Sequence, residues 1–374
     1  MAILKGLVME HSERNRTGAL CNVHSVTNSR GFVPSTDYFN KEVFSSDLKN
    51  YKVVHKGMLA YNPSRINVGS VSLLDSADAV VVSPLYVVVE VVKGSLLPEY
   101  LNAFLHSPAA LAQIKGLTSG GVRDYLRYSA FELLQLPVPN IKEQRSIVEK
   151  LACVKDIINK RKVQKNLLSQ LVKSRFVEMF GDPITNPKRW PMERLGDRCL
   201  ITTGNTPSRS GKENYGKFIE WIKSDNLVDG RLTTASEYLS EIGYGKSRHV
   251  GAGSILMTCI AGSLNSIGNC ALVDREVTFN QQLNAITPYK DDVVFLLWLL
   301  RLAKPVLHKG INKCLKGILS KSNLSGKVLP IPPLTLQREF AAFVVKVDKL
   351  AFAARQRRDV AKQLYRAKIQ EFFG

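Results

Sequence analysis

Residues 136–181 lie over residues 329–374 at a constant offset of 193 with no gap, and this duplication constrains the chain more than any other feature. LPVPNIKEQR lies over LPIPPLTLQR, and RFVEMFG over KIQEFFG. Identities fall at Leu136/Leu329, Pro137/Pro330, Pro139/Pro332, Gln144/Gln337, Arg145/Arg338, Val154/Val347, Leu171/Leu364, Glu178/Glu371, Phe180/Phe373 and Gly181/Gly374. Shared punctuation at both ends of a gapless match marks a duplicated structural unit. Each copy opens with prolines that cannot sit inside a helix. Apolar residues then recur in steps of three and four, at Ile147, Leu151, Val154, Ile158, Leu168, Val172 and Phe176 in the first copy. The second copy has Phe340, Val344, Val347, Ala351, Ala354, Ala361, Leu364 and Ile369. Such spacing is one apolar stripe along a long helix. It predicts a helix of about 30 residues, roughly 45 Å, in each copy. The charged runs NKRKVQK (159–165) and RQRRD (355–359) interrupt the stripes. They read either as solvated helix faces or as segments lying near phosphate.

Before each helix stands a segment long enough to form a globular domain. The first holds strand-like runs at 51–54, 71–74, 80–82 and 86–92, the second at 218–222, 254–259, 269–273 and 285–287. In both, β-branched residues stand between Gly, Asn and Pro. Helical stretches near 98–115 and 291–309 follow the last strands at matching places. KGMLAY (56–61) with INVG (66–69) echoes AGSILM (252–257) with SIG (266–268), while the remainder diverges. The layout is globule, helix, globule, helix, with boundaries 1–139, 140–181, 182–333 and 334–374. The predicted class is α+β: two mixed α/β globules separated by two long antiparallel helices in a pseudo-two-fold repeat.

A formal net charge of +20 points to a polyanionic partner, nucleic acid before a membrane surface. The charge divides as +2, +6, +7 and +5 over the four segments, so no single basic tail accounts for it. Distributed charge suits a long nucleic-acid track better than one anionic pocket. The longest apolar stretches, 79–92 and 293–300, fall short of the roughly 20 residues that cross a bilayer. The N-terminus has no sustained apolar run of the kind that directs secretion. Six cysteines (Cys21, Cys153, Cys199, Cys259, Cys270, Cys314) form no C-x-x-C pair, which suits reduced thiols in a cytoplasmic protein.

A duplicated globule–helix unit whose globules differ suits the reading of two different half-sites, about one DNA turn of roughly 34–36 Å apart. On the twin LPVPNIKEQR and LPIPPLTLQR lead-ins, the junction FVEMFGDPITNPKRWPMERLGD, and TTGNTPSRSG, YKVVHKGMLAYNPSRINVGS and GGVRDYLRYSAFELLQLPVP, the chain resembles the specificity subunit of type I restriction–modification systems. The resemblance covers most of the chain. It implies that the globules are target recognition domains on double-stranded DNA and the helices conserved spacers. It further implies two partner modification subunits, which bind S-adenosylmethionine and methylate adenine, and an optional restriction subunit using ATP and Mg. No cofactor is expected in this chain. One departure is that the first globule begins without a counterpart of Trp190-Pro-Met-Glu-Arg-Leu-Gly-Asp, which predicts a missing or altered first strand and leaves a specificity allele with an inactive N-terminal half as an alternative reading.

Motifs for chemistry are poor. Asn62-Pro63-Ser64 lacks the second proline and the aromatic of a methyltransferase motif and reads as a turn. Gly245-Lys246-Ser247 would close a P-loop, but Ser240 stands where the first glycine is required. Glu90-x-x-Lys93 and Glu220-x-x-Lys223 do not have nuclease spacing, and the six histidines are isolated along the chain, so no metal site is expected. The chain therefore reads as non-catalytic. Rival readings are a self-contained nuclease or methyltransferase, and a connector clamping two proteins.

Base edges are read by bidentate Arg, Lys, Asn and Gln. The candidates are Asn62, Arg65, Asn67 and Arg123 in the first globule, and Asn205, Thr206, Arg209, Lys223 and Asn226 in the second. For each, a phosphate contact or a turn is the competing role. Leu167, Leu168, Leu364 and Tyr365 are the candidate contacts to partner helices.

Overall fold

The computed structural model describes residues 1–38, 45, 47–92, 94–118, 125–311 and 317–374. The chain divides into two compact units, one of residues 1–162 with 355–374, the other of residues 163–354. Each long helix runs 40 residues, Ile141–Phe180 and Leu334–Phe373. They exceed the length read from the stripes because the charged runs are helical too. Lys, Arg and Gln are good helix formers, and these segments lose nothing by facing water.

The duplication builds each unit from parts of both copies. In the first unit Leu151, from the start of the first helix, shares a core with Ile369 and Phe373, from the end of the second. In the other unit Val172, Phe176 and Phe180, from the end of the first helix, pack with Phe340, Val344 and Val347, from the start of the second. Within each unit the two helices thus run antiparallel. The terminal phenylalanines dock on equivalent places. Phe373 lies 5.1 Å from Tyr100 and 5.8 Å from Phe104 between ring centres, on the helix Pro98–Leu105. Phe180 lies 5.0 Å from Phe295 on the helix Val293–Leu302. Gly181 ends the first helix at φ +79°, and a Cβ there would meet the Pro187 ring at 2.7 Å.

The repeated glutamines explain the repeated lead-ins. Gln144 is fully buried; it accepts from the Leu97 N–H at 2.9 Å and donates to the Ser95 and Pro139 carbonyls at 2.9 and 2.8 Å. Gln337 is equally buried; it accepts from the Asp292 N–H at 2.9 Å and donates to the Pro332 carbonyl and the Asp291 carboxylate. Leu97 and Asp292 are the N-caps of the two equivalent short helices. One amide thus fastens each long helix to its globule.

The first globule carries an antiparallel sheet in the order Val8–His11, Val87–Val91, Leu59–Tyr61, Val71–Leu73. The second has a six-stranded sheet whose strands Cys199–Thr203, Leu283–Pro288, Ile255–Thr258 and Cys270–Leu272 occupy the same order. The echoed segments are equivalent here: Gly57 (φ +89°) and Gly253 (φ +87°) turn the chain into Leu59–Tyr61 and Ile255–Thr258. The helical stretches each break in two, with prolines 108 and 305 opening the second pieces.

Two expectations need correction. The first strand of the N-terminal globule is present: Ala2–Ile3 pairs with Gln135–Leu136 as Met192–Arg194 pairs with Val328–Pro330. Leu4 then donates to the Leu134 carbonyl as Leu195 donates to that of Lys327, and both leucines are buried. Backbone pairing and one buried leucine define this strand, so the tryptophan-containing motif is not needed to form it. Leu364 does not belong to the buried stripe but is 46% exposed, in an outward row with Val360 one turn earlier.

Candidate nucleic-acid interface

In the second unit the exposed cations gather around aromatic rings. The strand Tyr215–Ile222 supplies Tyr215, Lys217 and Trp221. The Arg209 guanidinium lies 4.8 Å from the Tyr215 ring centre and 5.2 Å from that of Trp221, and the Lys223 ammonium 5.1 Å from Trp221. Each contact of this kind contributes about 0.5–1 kcal/mol at exposed sites. Glu237 joins the two cations, 2.9 Å from Arg209 and in contact with Lys223. The Lys223 hydrogen bond holds the Glu237 carboxyl below the usual carboxylate range, with Arg209 adding to the effect. Arg209, Tyr215 and Glu237 of this group line a shallow cleft of about 670 Å³ together with Lys217 and Tyr238. Arg209 keeps 60% of its side chain in water, so its outer donors are free to meet an anion or a base edge.

The other candidates of this unit hold the loops in place. Asn205 donates to the Lys246 carbonyl at 2.9 Å and accepts from the Arg248 N–H at 2.7 Å. Thr206 donates to Gln281. Asn226 is buried; it accepts from the Lys223 N–H at 3.0 Å and donates to the Thr234 carbonyl at 3.2 Å. The structure therefore brings Arg209 and Lys223 together and gives the amides of Asn205 and Asn226 supporting bonds. Tyr215, Lys217, Glu237 and Tyr238 escaped the sequence reading. The signal for the first two was available, since YGKFIEWIK interleaves aromatic and basic residues.

In the first unit Asn62 and Arg65 line a cleft of about 340 Å³ together with His24, Tyr51, Tyr86 and Tyr125. The Asn62 side chain accepts from the Ser64 N–H at 3.1 Å, the turn expected of Asn-Pro-Ser, and Arg65 extends exposed from the same turn. Asn67 sits on the following helical turn, Ile66–Val68. Arg123 lies outside the described residues. The three tyrosines come from separate segments, so no local pattern could announce them.

On the long helices Val163, Leu167 and Leu171 form an exposed row at four-residue steps, 56%, 58% and 48% accessible. Leu167 and Leu171 correspond through the repeat to Val360 and Leu364, which are also exposed. Leu168 and Tyr365 turn inward and pack on the cores of the second and first units respectively. No helix among the described residues is long and apolar enough to cross a membrane.

Each unit thus carries a cleft in which cationic and aromatic side chains stand together. Residues 187–362 match the type I restriction modification DNA specificity domain. The chain is 22% identical over 378 residues to the Type I restriction enzyme HindI specificity subunit of Haemophilus influenzae, covering 79% of this chain and 81% of that one. It is 23% identical over 272 residues to the MjaIX specificity subunit of Methanocaldococcus jannaschii, covering 67% of this chain and 62% of that one. Among solved structures, it is similar to the type I restriction-modification S subunit from M. genitalium, with a TM-score of 0.61 at 14% identity over 100% and 95% of the two chains. A chain from a type I R-M system solved to study complex assembly gives 0.58 at 18% identity, over 99% and 96%. The resemblance first read from the twin lead-ins is borne out: residues 187–362 match the specificity-domain family, and the chain is similar over most of its length to type I specificity subunits.

Proposed function

We propose that each unit reads one half of an asymmetric bipartite target on double-stranded DNA, and that this chain performs no chemistry of its own. The observation that carries this reading is that two globules sharing an equivalent sheet bear unlike clefts. One presents Arg209 and Lys217 with Tyr215, beside the Lys223–Trp221 pair; the other presents Asn62 and Arg65 among tyrosines. Equivalent scaffolds with different reading groups imply half-sites that differ in sequence. The exposed rows at Leu167/Leu171 and Val360/Leu364 recur by the internal repeat, and a pair of modification subunits is the partner such a repeat accommodates. S-adenosylmethionine then belongs to those subunits, and ATP with Mg to a restriction subunit.

The test is to express the chain with its neighbouring modification subunit and map methylated adenines across a genome by single-molecule sequencing. A split, asymmetric motif with a fixed spacer is the expected outcome. A stable complex that methylates only a continuous or symmetric site would overturn the reading.

A further inference from the structure

The histidines are isolated in sequence but not in space. His11 ends the strand Val8–His11, His55 ends Lys52–His55, and Glu13 lies two residues beyond the first strand. The Glu13 carboxylate oxygen Oε2 sits 3.1 Å from His11 Nε2 and 2.8 Å from His55 Nε2. All three candidate ligand atoms lie within 4.8 Å of one another. The imidazole rings meet edge to face at 5.7 Å. The segments are joined by the backbone: Val53 donates to the Glu13 carbonyl at 3.0 Å, and Arg14 bridges to Lys52.

We propose that His11, Glu13 and His55 form a divalent-metal site of the zinc type, which clamps these two strands of the first unit. Two imidazoles and one carboxylate are a common ligand set for zinc, with bonds of about 2.0–2.2 Å and a further position left for water. A tetrahedral ion at that radius needs ligand atoms roughly 3.3 Å apart, so the two Glu13 contacts need open by only about half an ångström. The ligands remain reachable from water, with 22%, 47% and 43% of the His11, Glu13 and His55 side chains accessible.

A second observation concerns the far side of His11. Its Nδ1 lies 3.8 Å from the Glu90 carboxylate, so acidic groups face both ring nitrogens. A neutral imidazole has one N–H and can serve only one of them. A cation on Nε2 would leave the N–H on Nδ1, the side that faces Glu90. Closing that gap to hydrogen-bond distance would let the carboxylate fix the ligand's tautomer.

The duplicated scaffold shows what such a clamp would do. His11 pairs with Val88 as Thr202 pairs with Ala285, so Glu13 occupies the place of Gly204, one residue before Asn205. In the second unit Asn205 pins that loop through its amide to Lys246 and Arg248. In the first unit Arg14 stands at the place of Asn205 and the neighbouring Asn15 amide bonds to Leu20, while the proposed ion would tie the same segment to Lys52–His55.

The experiment is a cobalt(II) titration of the metal-stripped full-length chain, read by its visible absorption and by calorimetry, with zinc as competitor. One ion per chain is expected, displaced by zinc, and weakened at least about tenfold in His11→Ala and in His55→Ala. Glu90→Gln should weaken it by roughly ten- to a hundredfold without removing a ligand. In the unmodified chain, zinc should protect His11 and His55, but not His24, from diethylpyrocarbonate as read by mass spectrometry. Failure to bind cobalt, binding that persists in the double His→Ala variant, or equal modification of all three histidines with and without zinc would each overturn the proposal.

Discussion

Replacing Gln337 by alanine tests the claim that one repeated amide fastens each long helix to its globule. The side chain makes three hydrogen bonds: from the Asp292 N–H at 2.9 Å, to the Asp291 carboxylate at 2.8 Å and to the Pro332 carbonyl at 2.9 Å. Each contributes about 1 kcal/mol net, and a buried group left without a partner costs a further 1–3 kcal/mol. Asp291 keeps its bonds from Arg198, at 2.8 and 2.5 Å, so its charge is not abandoned. The expected loss is therefore about 3–5 kcal/mol, a large part of the 5–15 kcal/mol that holds a typical domain. With a urea slope of about 2 kcal/mol per molar, the midpoint of the second unit should fall by roughly 2 M. Gln144→Ala should produce a comparable fall in the first unit, because its amide makes the equivalent bonds to Leu97, Ser95 and Pro139. The neighbouring exposed Arg338→Ala serves as control and should stay within about 0.5 kcal/mol. Losses below about 1 kcal/mol at both glutamines would show that the helices are held by their apolar faces alone, and the account of the repeated motif would be wrong.

Arg209→Ala, in the assembled complex, should weaken specific DNA binding by roughly five- to a hundredfold at fixed salt, with little rescue by lysine because the planar fork is lost; competition anisotropy measures it. The Glu220 carboxyl is held below its ordinary value of 4.5, chiefly by its hydrogen bond from Arg275. Its folded value is the lower one, so this contribution is complete above pH 4.5 and is lost as pH falls through the depressed value; Glu220→Gln should flatten that part of the acid denaturation curve. Burial pushes the Cys199, Cys259 and Cys270 thiols up to about 12, so native iodoacetamide labelling should mark the exposed Cys21 and Cys153 and spare those three until the chain unfolds. Leu167→Asp and Leu364→Asp, both on exposed positions, should leave thermal stability nearly unchanged while reducing co-purification of a modification subunit.

The duplication, the two long helices and the strands of the globule cores were legible in the sequence because they rest on local rules. Apolar steps of three and four, β-branched runs and prolines act through neighbours along the chain, so Val172, Phe176, Val344 and Val347 could be assigned to the core from spacing alone. Local rules also misled: Leu364 fits the stripe by spacing, yet a helix that packs over one narrow face leaves it in water. The role of Gln144 and Gln337 was invisible despite their repetition, since their partners come from another stretch of chain, 45–49 residues away. The same is true of the binding surface. Arg209 and Lys223 share an acid and an aromatic wall only because strand pairing carries Glu237 beside Trp221, whose N–H donates to the Glu237 carbonyl at 3.0 Å. His11 and His55 stand 44 residues apart in sequence, and pairing in the first unit alone brings them to one carboxylate. Sequence determined which segments would be helix, strand and core, through forces acting between near neighbours. Only the tertiary structure decided which charged and polar groups meet, because those encounters depend on sheet register and on contacts between segments distant along the chain.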